Sequence, residues 1–480
     1  VDFVGRDQEL TLLRKRLAAV RKTGGGGFLA MRGRRRVGKS RLVEEFAATS
    51  GCRYVYFTAT QQDGLSELER FLQAVQESGV PRAADLSTGL RPETWEAALS
   101  FAAEGATKAR PLILVIDEFP YLVAKEPSIE SILQKVWDRQ LQAEPVLVVL
   151  IGSDEAMMRA LTEQGRPLYD RLREMVVRPL SPAAVGDLLG LDSAEALDAH
   201  LVIGGFPVLA TEWGEGRKLH DYLAEALPDP TSFLVVSAER SLAAEFPAAA
   251  ARTVLTAIGT GSRAYSTILS RTGLSATTVN ETLETLRARG AVTRRTPYSA
   301  KAAPRIALWE IVDPYIRFWL RFINGKIDLI ERGRGALLLE DFERSWPSYR
   351  GSAIEHPVRE AVELMLPDED RFGSARYVGA YWNRVGTVEV DLVGGDRRPA
   401  AKQIGFVGSI KWRSEQSFSR ADAITLAETR SQVPGAGKAT PLVGVSSSGF
   451  EKDASLDVRL TPDDLVAAWR AAGDTTSVVL

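Results

Sequence analysis

The sequence predicts an α/β fold: a parallel sheet flanked by helices over the first 180 residues, then a helical segment, a unit of three helices with a ribbon, and a second α/β unit. Three observations carry this expectation. Across residues 1–180, short apolar runs alternate with amphipathic stretches, the rhythm of βαβ units. One of those runs, residues 112–116, is apolar at every position, as in a strand covered on both faces of a parallel sheet. Residues 33–40, Gly-Arg-Arg-Arg-Val-Gly-Lys-Ser, stand between an apolar strand and a helical run, a loop that belongs at the carboxyl edge of such a sheet.

A chain of 480 residues is long for one core, and about 150 residues per domain suggests about three. With 45% hydrophobic and 25% charged residues the composition is globular rather than disordered. The net charge of −2 offers no global attraction to nucleic acid, so any such binding must come from local patches. Cys52 is the single cysteine and excludes an internal disulfide, while His200, His220 and His356 stand at no zinc-binding spacing. Apolar stretches such as 146–151 fall far short of the ~20 residues that span a bilayer, and no signal-like segment opens the chain, which lacks an initiator Met. These features suit a soluble, cytoplasmic protein with no membrane partner.

In the first 180 residues the strand candidates are 28–31, 54–58, 112–116, 146–151 and 175–177. Residues 24–27, four glycines, read as a flexible loop entering the first strand. The loop of Gly33, Arg34, Arg35, Arg36, Val37, Gly38, Lys39 and Ser40, with Arg41 following, fits G-x-x-x-x-G-K-[ST]. Its backbone N–H groups and the helix N-terminus would surround a β-phosphate, Lys39 would reach the β/γ oxygens, and the Ser40 hydroxyl would hold Mg²⁺. Asp117 and Glu118 follow the buried run. Alone they could be an ordinary loop start; beside a phosphate loop, Asp117 is placed to hold the Mg²⁺ shell and Glu118 to polarise the attacking water. The next strand ends in Gly152-Ser153-Asp154, where a polar side chain either senses the γ-phosphate and orients the water or caps the following helix.

Residues 181–250 read as helical, interrupted by Gly204-Gly205-Phe206-Pro207. The segment that follows looks like a winged helix: helices at 251–258, 265–271 and 275–289, then a ribbon of 291–296 with 305–310. Arg294, Arg295, Lys301 and Arg305 fall on its wing, with Arg263 and Arg271 nearby, where cations would meet phosphates. Against this, Glu281 and Glu284 offset Arg287 and Arg289 on the recognition helix. Tyr315, Phe318, Trp319 and Phe322 share one helix face, a stripe that favours packing over base stacking. From residue 340 a new α/β unit begins, with a helix at 352–365 and strands at 387–393 and 403–410; residues after Ala472 read as a loose tail.

The ordered set Phe3-Val4-Gly5-Arg6, residues 33–40, Ile116-Asp117-Glu118-Phe119, Gly152-Ser153, Pro167-Leu168-Tyr169-Asp170-Arg171, Gly204-Gly205-Phe206-Pro207 and Val312-Asp313-Pro314-Tyr315 resembles the archaeal-type P-loop ATPases, also found in bacteria, that carry a winged helix and a C-terminal nuclease-like domain. The likeness covers almost the whole chain. It implies an AAA-like, signal-transducing ATPase with a P-loop core at 1–180, a helical lid at 181–250, a winged helix at 251–325 and a degenerate restriction-endonuclease-like domain at 340–472. By the same analogy Val4 and Arg6 lie near the adenine and Pro207 closes over the nucleotide. Arg171 is a candidate arginine finger, with Arg173 or a structural ion pair as the other reading of the same residues. If the finger acts in trans, hydrolysis requires a homo-oligomer. For the nuclease-like fold, Glu355, Asp391 and Lys411 match the helix Glu, strand Asp and strand Lys, and Trp412 follows the lysine. Ser409 stands where the family has an acid, which weakens metal binding, although Glu389 shares a face with Asp391.

Two functions follow. One is a Mg²⁺-dependent ATPase whose nucleotide state switches a double-stranded-DNA-associated, nuclease-like C-terminal half. The other is a slow, nucleotide-gated switch or scaffold acting through a protein partner.

Overall fold

The computed structural model describes residues 4–89, 91–303 and 305–472, so Phe3 and the tail after Ala472 lie outside the described residues. The chain forms two compact units, residues 6–179 and residues 180–472, with Val4 and Gly5 grouped with the second. In the first, five strands form a parallel sheet in the order β2-β3-β4-β1-β5: β1 Gly27–Arg32, β2 Arg53–Thr58, β3 Leu112–Asp117, β4 Val146–Gly152 and β5 Arg173–Val176. Every residue of β3 and β4 is buried, as their unbroken apolar sequences require of strands covered on both faces. Leu150 of β4 pairs with both Ala30 of β1 and Ile116 of β3, so the phosphate loop, the acidic pair and Ser153 leave the sheet side by side.

The four glycines are not the flexible loop expected of them. Gly24 caps the helix Asp7–Thr23 in a left-handed conformation, Gly26 N–H donates to Gln142 O at 2.9 Å, and Gly27 begins β1. A Cβ on Gly26 would lie 2.3 Å from Leu141 O, so close packing, not mobility, excludes a side chain there.

In the second unit, helices from Pro182–Leu189 to Phe233–Glu245 precede the three helices Ala249–Gly259, Tyr265–Thr272 and Ala276–Ala288. An antiparallel ribbon of β6 Val292–Arg295 and β7 Leu308–Ile311 follows them. The helix Pro314–Phe322 buries its whole aromatic stripe: Tyr315 Oη accepts from Ala238 N–H at 2.9 Å and Trp319 Nε1 donates to Val235 O at 2.7 Å. Those rings serve packing, not base stacking. The helix expected at 352–365 is Glu355–Leu364, and a longer helix, Ala336–Ala353, precedes it. A mixed sheet in the order β12-β11-β10-β9-β8 completes the unit: β8 Tyr377–Trp382, β9 Glu389–Gly395, β10 Ile404–Lys411, β11 Leu442–Ser446 and β12 Val458–Leu460. Strands β8 to β10 run antiparallel and β10 to β12 parallel. Among the described residues no helix is long and apolar enough to cross a membrane.

Candidate functional site

The phosphate loop is shaped by backbone that few residues adopt. Gly38 (φ 91°) and Arg36 (φ 66°) are left-handed. Such turns among right-handed neighbours point successive N–H groups into one concavity, an anion nest at the start of the helix Lys39–Thr49. Gly33 admits no side chain, because its Cβ would lie 2.2 Å from Val177 O. Val37 is fully buried beneath the loop, and its carbonyl accepts from the buried Arg6 guanidinium at 2.8 Å, which Glu9 holds at 2.8 Å. Arg6, expected near the adenine, thus has its charge engaged in bracing the loop. Arg34 is half-buried, and Arg35 and Arg36 are exposed. Arg35 donates to the Tyr121 hydroxyl, and the exposed Arg41 pairs with Glu44 and Glu45 at 3.7 Å.

Lys39 Nζ donates to Gly33 O at 2.7 Å and Arg34 O at 2.9 Å, so the ammonium is held inside the loop. Burial pushes its pKa down to about 8, against the opposing pull of Glu118, Asp117 and Glu155. The folded chain therefore holds this proton less tightly than an unfolded one, whose lysine titrates near ~10.4. Below pH 8 both states carry the charge and the fold bears its desolvation cost; that cost is relieved as pH rises between 8 and the unfolded value. Phosphate binding has the opposite sign, since it needs the charge. Affinity for a nucleoside triphosphate should weaken as pH rises through about 8, with proton uptake on binding. Calorimetry in buffers of different ionisation enthalpy checks this, and a flat profile from pH 7 to 9 would refute it.

At the end of β3, Asp117 Oδ1 accepts from Glu118 N–H at 2.8 Å and Oδ2 from the Tyr56 hydroxyl at 2.9 Å. Tyr56 also hydrogen-bonds Ser40, so one phenol spans the two side chains expected to hold Mg²⁺; burial and then Asp117 push its pKa up. Ser40 and Asp117 supply oxygen donors of the hard type that Mg²⁺ prefers, and the residues present fit that ion. The sequence reading missed Tyr56, because its role depends on β2 lying beside β3 with Tyr56 level with Val115. Glu118 sits in a left-handed conformation (φ 51°, ψ 43°), a strain of about 1–3 kcal/mol of the kind that gathers at functional sites. Its carboxylate accepts from Ser153 Oγ at 3.0 Å and 3.3 Å. The open question at 152–154 resolves by division of labour: Asp154 caps the helix Glu155–Ala160 and Ser153 holds Glu118.

Arg171 forms a two-pronged ion pair with Asp138, both contacts at 2.8 Å, and donates to Pro167 O and Tyr169 O. That is the structural ion pair left open beside the arginine finger. Pro207 begins the helix Pro207–Trp213 and, like Val4, belongs to the second unit.

Glu355, Asp391 and Lys411, expected to form a nuclease-like site, lie in the second unit. Asp391 Oδ2 accepts from Ser409 Oγ at 2.9 Å and Ile410 N–H at 2.7 Å. Burial and then Glu355 raise the Asp391 pKa, and burial raises that of Glu389. Arg359 bridges Glu355 Oε2 at 3.2 Å and Asp391 O at 3.1 Å, and Arg295 stands 3.8 Å from Glu355. Guanidiniums thus face the carboxylate that a metal would use, and Lys411 points to Asp422 at 3.7 Å. No group of three or more metal-ligating side chains occurs among the described residues.

This cluster also changes the expectation for the wing. Arg295 pairs with Glu310 at 2.6 Å, and Arg263 pairs with the same carboxylate. Neither faces outward to a phosphate backbone. Beyond β6, Tyr298 is buried in the core of the mixed sheet with Val390, Val393 and Ile404; its N–H donates to Ala380 O at 2.8 Å and its hydroxyl to Arg397 O at 2.7 Å. Lys301 and Arg305 remain exposed, as does Arg294.

A parallel sheet that brings a G-x-x-x-x-G-K-S loop, an Asp-Glu pair and a polar strand end to one edge defines a P-loop ATPase. The chain carries an ATPase domain of the archaeal type and, farther along, a domain of unknown function. Residues 3–190 match the family described as "ATPase domain predominantly from Archaea", and residues 319–424 match "Archaea bacterial proteins of unknown function". The chain is 25% identical over 398 residues to an uncharacterised protein of Methanocaldococcus jannaschii, covering 82% of this chain and 84% of that one. Among solved structures it is similar to a Walker-type ATPase of Pyrococcus abyssi (18% identity, 66% of this chain and 96% of that one, TM-score 0.44). It is also similar to the Aeropyrum pernix ORC2 protein (13%, 69% and 94%, TM-score 0.39).

Proposed function

We propose that this chain binds ATP with Mg²⁺, hydrolyses it slowly and uses nucleotide state to switch its C-terminal half. The observation that carries the reading is the hydrogen-bonded set Ser40, Tyr56, Asp117, Glu118 and Ser153 beside a phosphate loop whose lysine is held inside it. In this proposal the loop N–H groups and Lys39 bind the β/γ-phosphates, Ser40 and Asp117 hold Mg²⁺, and Glu118, oriented by Ser153, takes the proton of the attacking water. The ion, when bound, neutralises charge on the phosphates. Val4 and Pro207 are assigned to the nucleotide by family resemblance, as are the lid at 181–250, the winged helix at 251–325 and the nuclease-like unit at 340–472. Glu355, Asp391 and Lys411 are read as a degenerate site kept as an ion-pair hub, since Ser409 replaces an acid and Arg359 faces Glu355.

For the partner, the wing bears on two readings. With Tyr298 buried and Arg263 and Arg295 paired internally, a protein partner is favoured over duplex DNA gripped by the wing. Steady-state turnover should therefore be unchanged by duplex DNA, and any DNA binding should be weak and strongly salt-dependent. A severalfold stimulation of turnover by duplex DNA would overturn this choice and restore the DNA-coupled ATPase.

A further inference from the structure

A cavity of about 410 Å³ opens in the second unit between the helices Pro314–Phe322 and Ala336–Ala353 and the end of Ala249–Gly259. Arg317 and Arg321, one helical turn apart, line it from the first helix; Ser345, Ser348 and Ser352 line it from the second at helical spacing. Arg263 and Arg344 also contribute, and Glu310 is the single carboxylate of the lining.

The charges do not balance within the lining. Arg263 is paired with Glu310, and Arg344 with Asp341 at 2.7 Å. Arg317 and Arg321 have no ion pair among the described residues: Arg317 donates to Ser352 Oγ at 3.0 Å and lies over the Tyr349 ring, and Arg321 lies over Phe322. In the same wall the Tyr349 hydroxyl is buried with no hydrogen-bond partner. Two half-buried guanidiniums, Arg317 held by one hydroxyl and a ring face and Arg321 by a ring face and the field of Asp341, stand beside an unused donor and form a site that an oxyanion would complete.

We propose that this cavity binds the phosphate groups of a small phosphorylated molecule carrying at least two negative charges, gripped by Arg317 and Arg321 and hydrogen-bonded by Ser345, Ser348 and Ser352. Guanidinium forks match phosphate oxygens, and the hydroxyls on the opposite wall suit a tetrahedral group with acceptors on every side. The volume falls within the ~300–1,000 Å³ of small-molecule pockets. The site is separate from the phosphate loop and does not depend on hydrolysis there.

The test is calorimetric titration of full-length Lys39→Ala protein, in which the loop is disabled, with inorganic pyrophosphate. Binding should persist and should weaken by about tenfold or more in Arg317→Gln/Arg321→Gln, the loss expected from charge-assisted hydrogen bonds. Ser348 is exposed, so Ser348→Glu places a carboxylate in the cavity without disturbing the core and should weaken binding as much. Absent binding in Lys39→Ala, or binding indifferent to both variants, would overturn the proposal. A duplex oligonucleotide that displaces pyrophosphate and binds more tightly through the same arginines would overturn the small-molecule assignment in favour of a nucleic-acid backbone.

Discussion

Glu118→Gln lowers ATP turnover by about 10²–10⁴-fold, the range a positioned general base contributes, and leaves nucleotide binding in place. The amide keeps the side chain's size and can still accept the Ser153 hydrogen bond seen at 3.0 Å, so the left-handed turn at φ 51° has no added reason to relax. What it loses is the capacity to take a proton from water. The purified variant should carry intact triphosphate, detectable by chromatography of the denatured protein, where the unchanged chain carries the diphosphate. A variant holding only diphosphate would assign the proton to another group. Ser153→Ala should move turnover in the same direction by less, because it loosens the base without removing it.

Asp198→Ala destabilises the second unit by about 3–5 kcal/mol, the cost of leaving a buried charge without its partner. Asp198, on the helix Ser193–Ile203, holds the Arg350 guanidinium through both carboxylate oxygens at 2.7 Å and accepts from Trp412 Nε1 at 3.1 Å. Arg350 also donates to Ser414 Oγ at 3.0 Å, so one buried ion pair ties the helical segment to the end of β10. Neither partner is more than 13% exposed, which removes most of the solvent screening that makes surface pairs weak. Urea unfolding followed by tryptophan fluorescence measures the effect. Asp198→Asn keeps acceptor geometry and should cost less, and an Ala variant within about 0.5 kcal/mol of the parent would show the pair to be dispensable.

The phosphate loop and the acidic pair were legible because each is contiguous and follows a strand recognisable by its apolar run. The five parallel strands were legible for the same reason. Tyr56 was not, since a tyrosine in a strand is ordinary until the order β2-β3-β4 sets it against Asp117. Arg6 and Val37 are 31 residues apart, a distance that conceals the brace between them. The wing misled for a related reason. Its basic residues look like a phosphate-binding surface, yet Glu310 and Glu355 draw Arg263 and Arg295 inward. Gly379 leaves room for Tyr298 at the mixed sheet, where a Cβ would come within 2.5 Å of it. Such contacts are properties of tertiary packing and leave no periodic trace in the chain.

In the proposed function the loop and the acidic pair form one hydrolytic site. Steady-state phosphate release from ATP by the full chain, with and without Mg²⁺ and beside Lys39→Ala, tests it most directly. Turnover should be slow, require Mg²⁺ and fall to background in the variant; turnover that persists in Lys39→Ala, or that is absent from the unchanged chain despite bound ATP and Mg²⁺, would rule out a shared site.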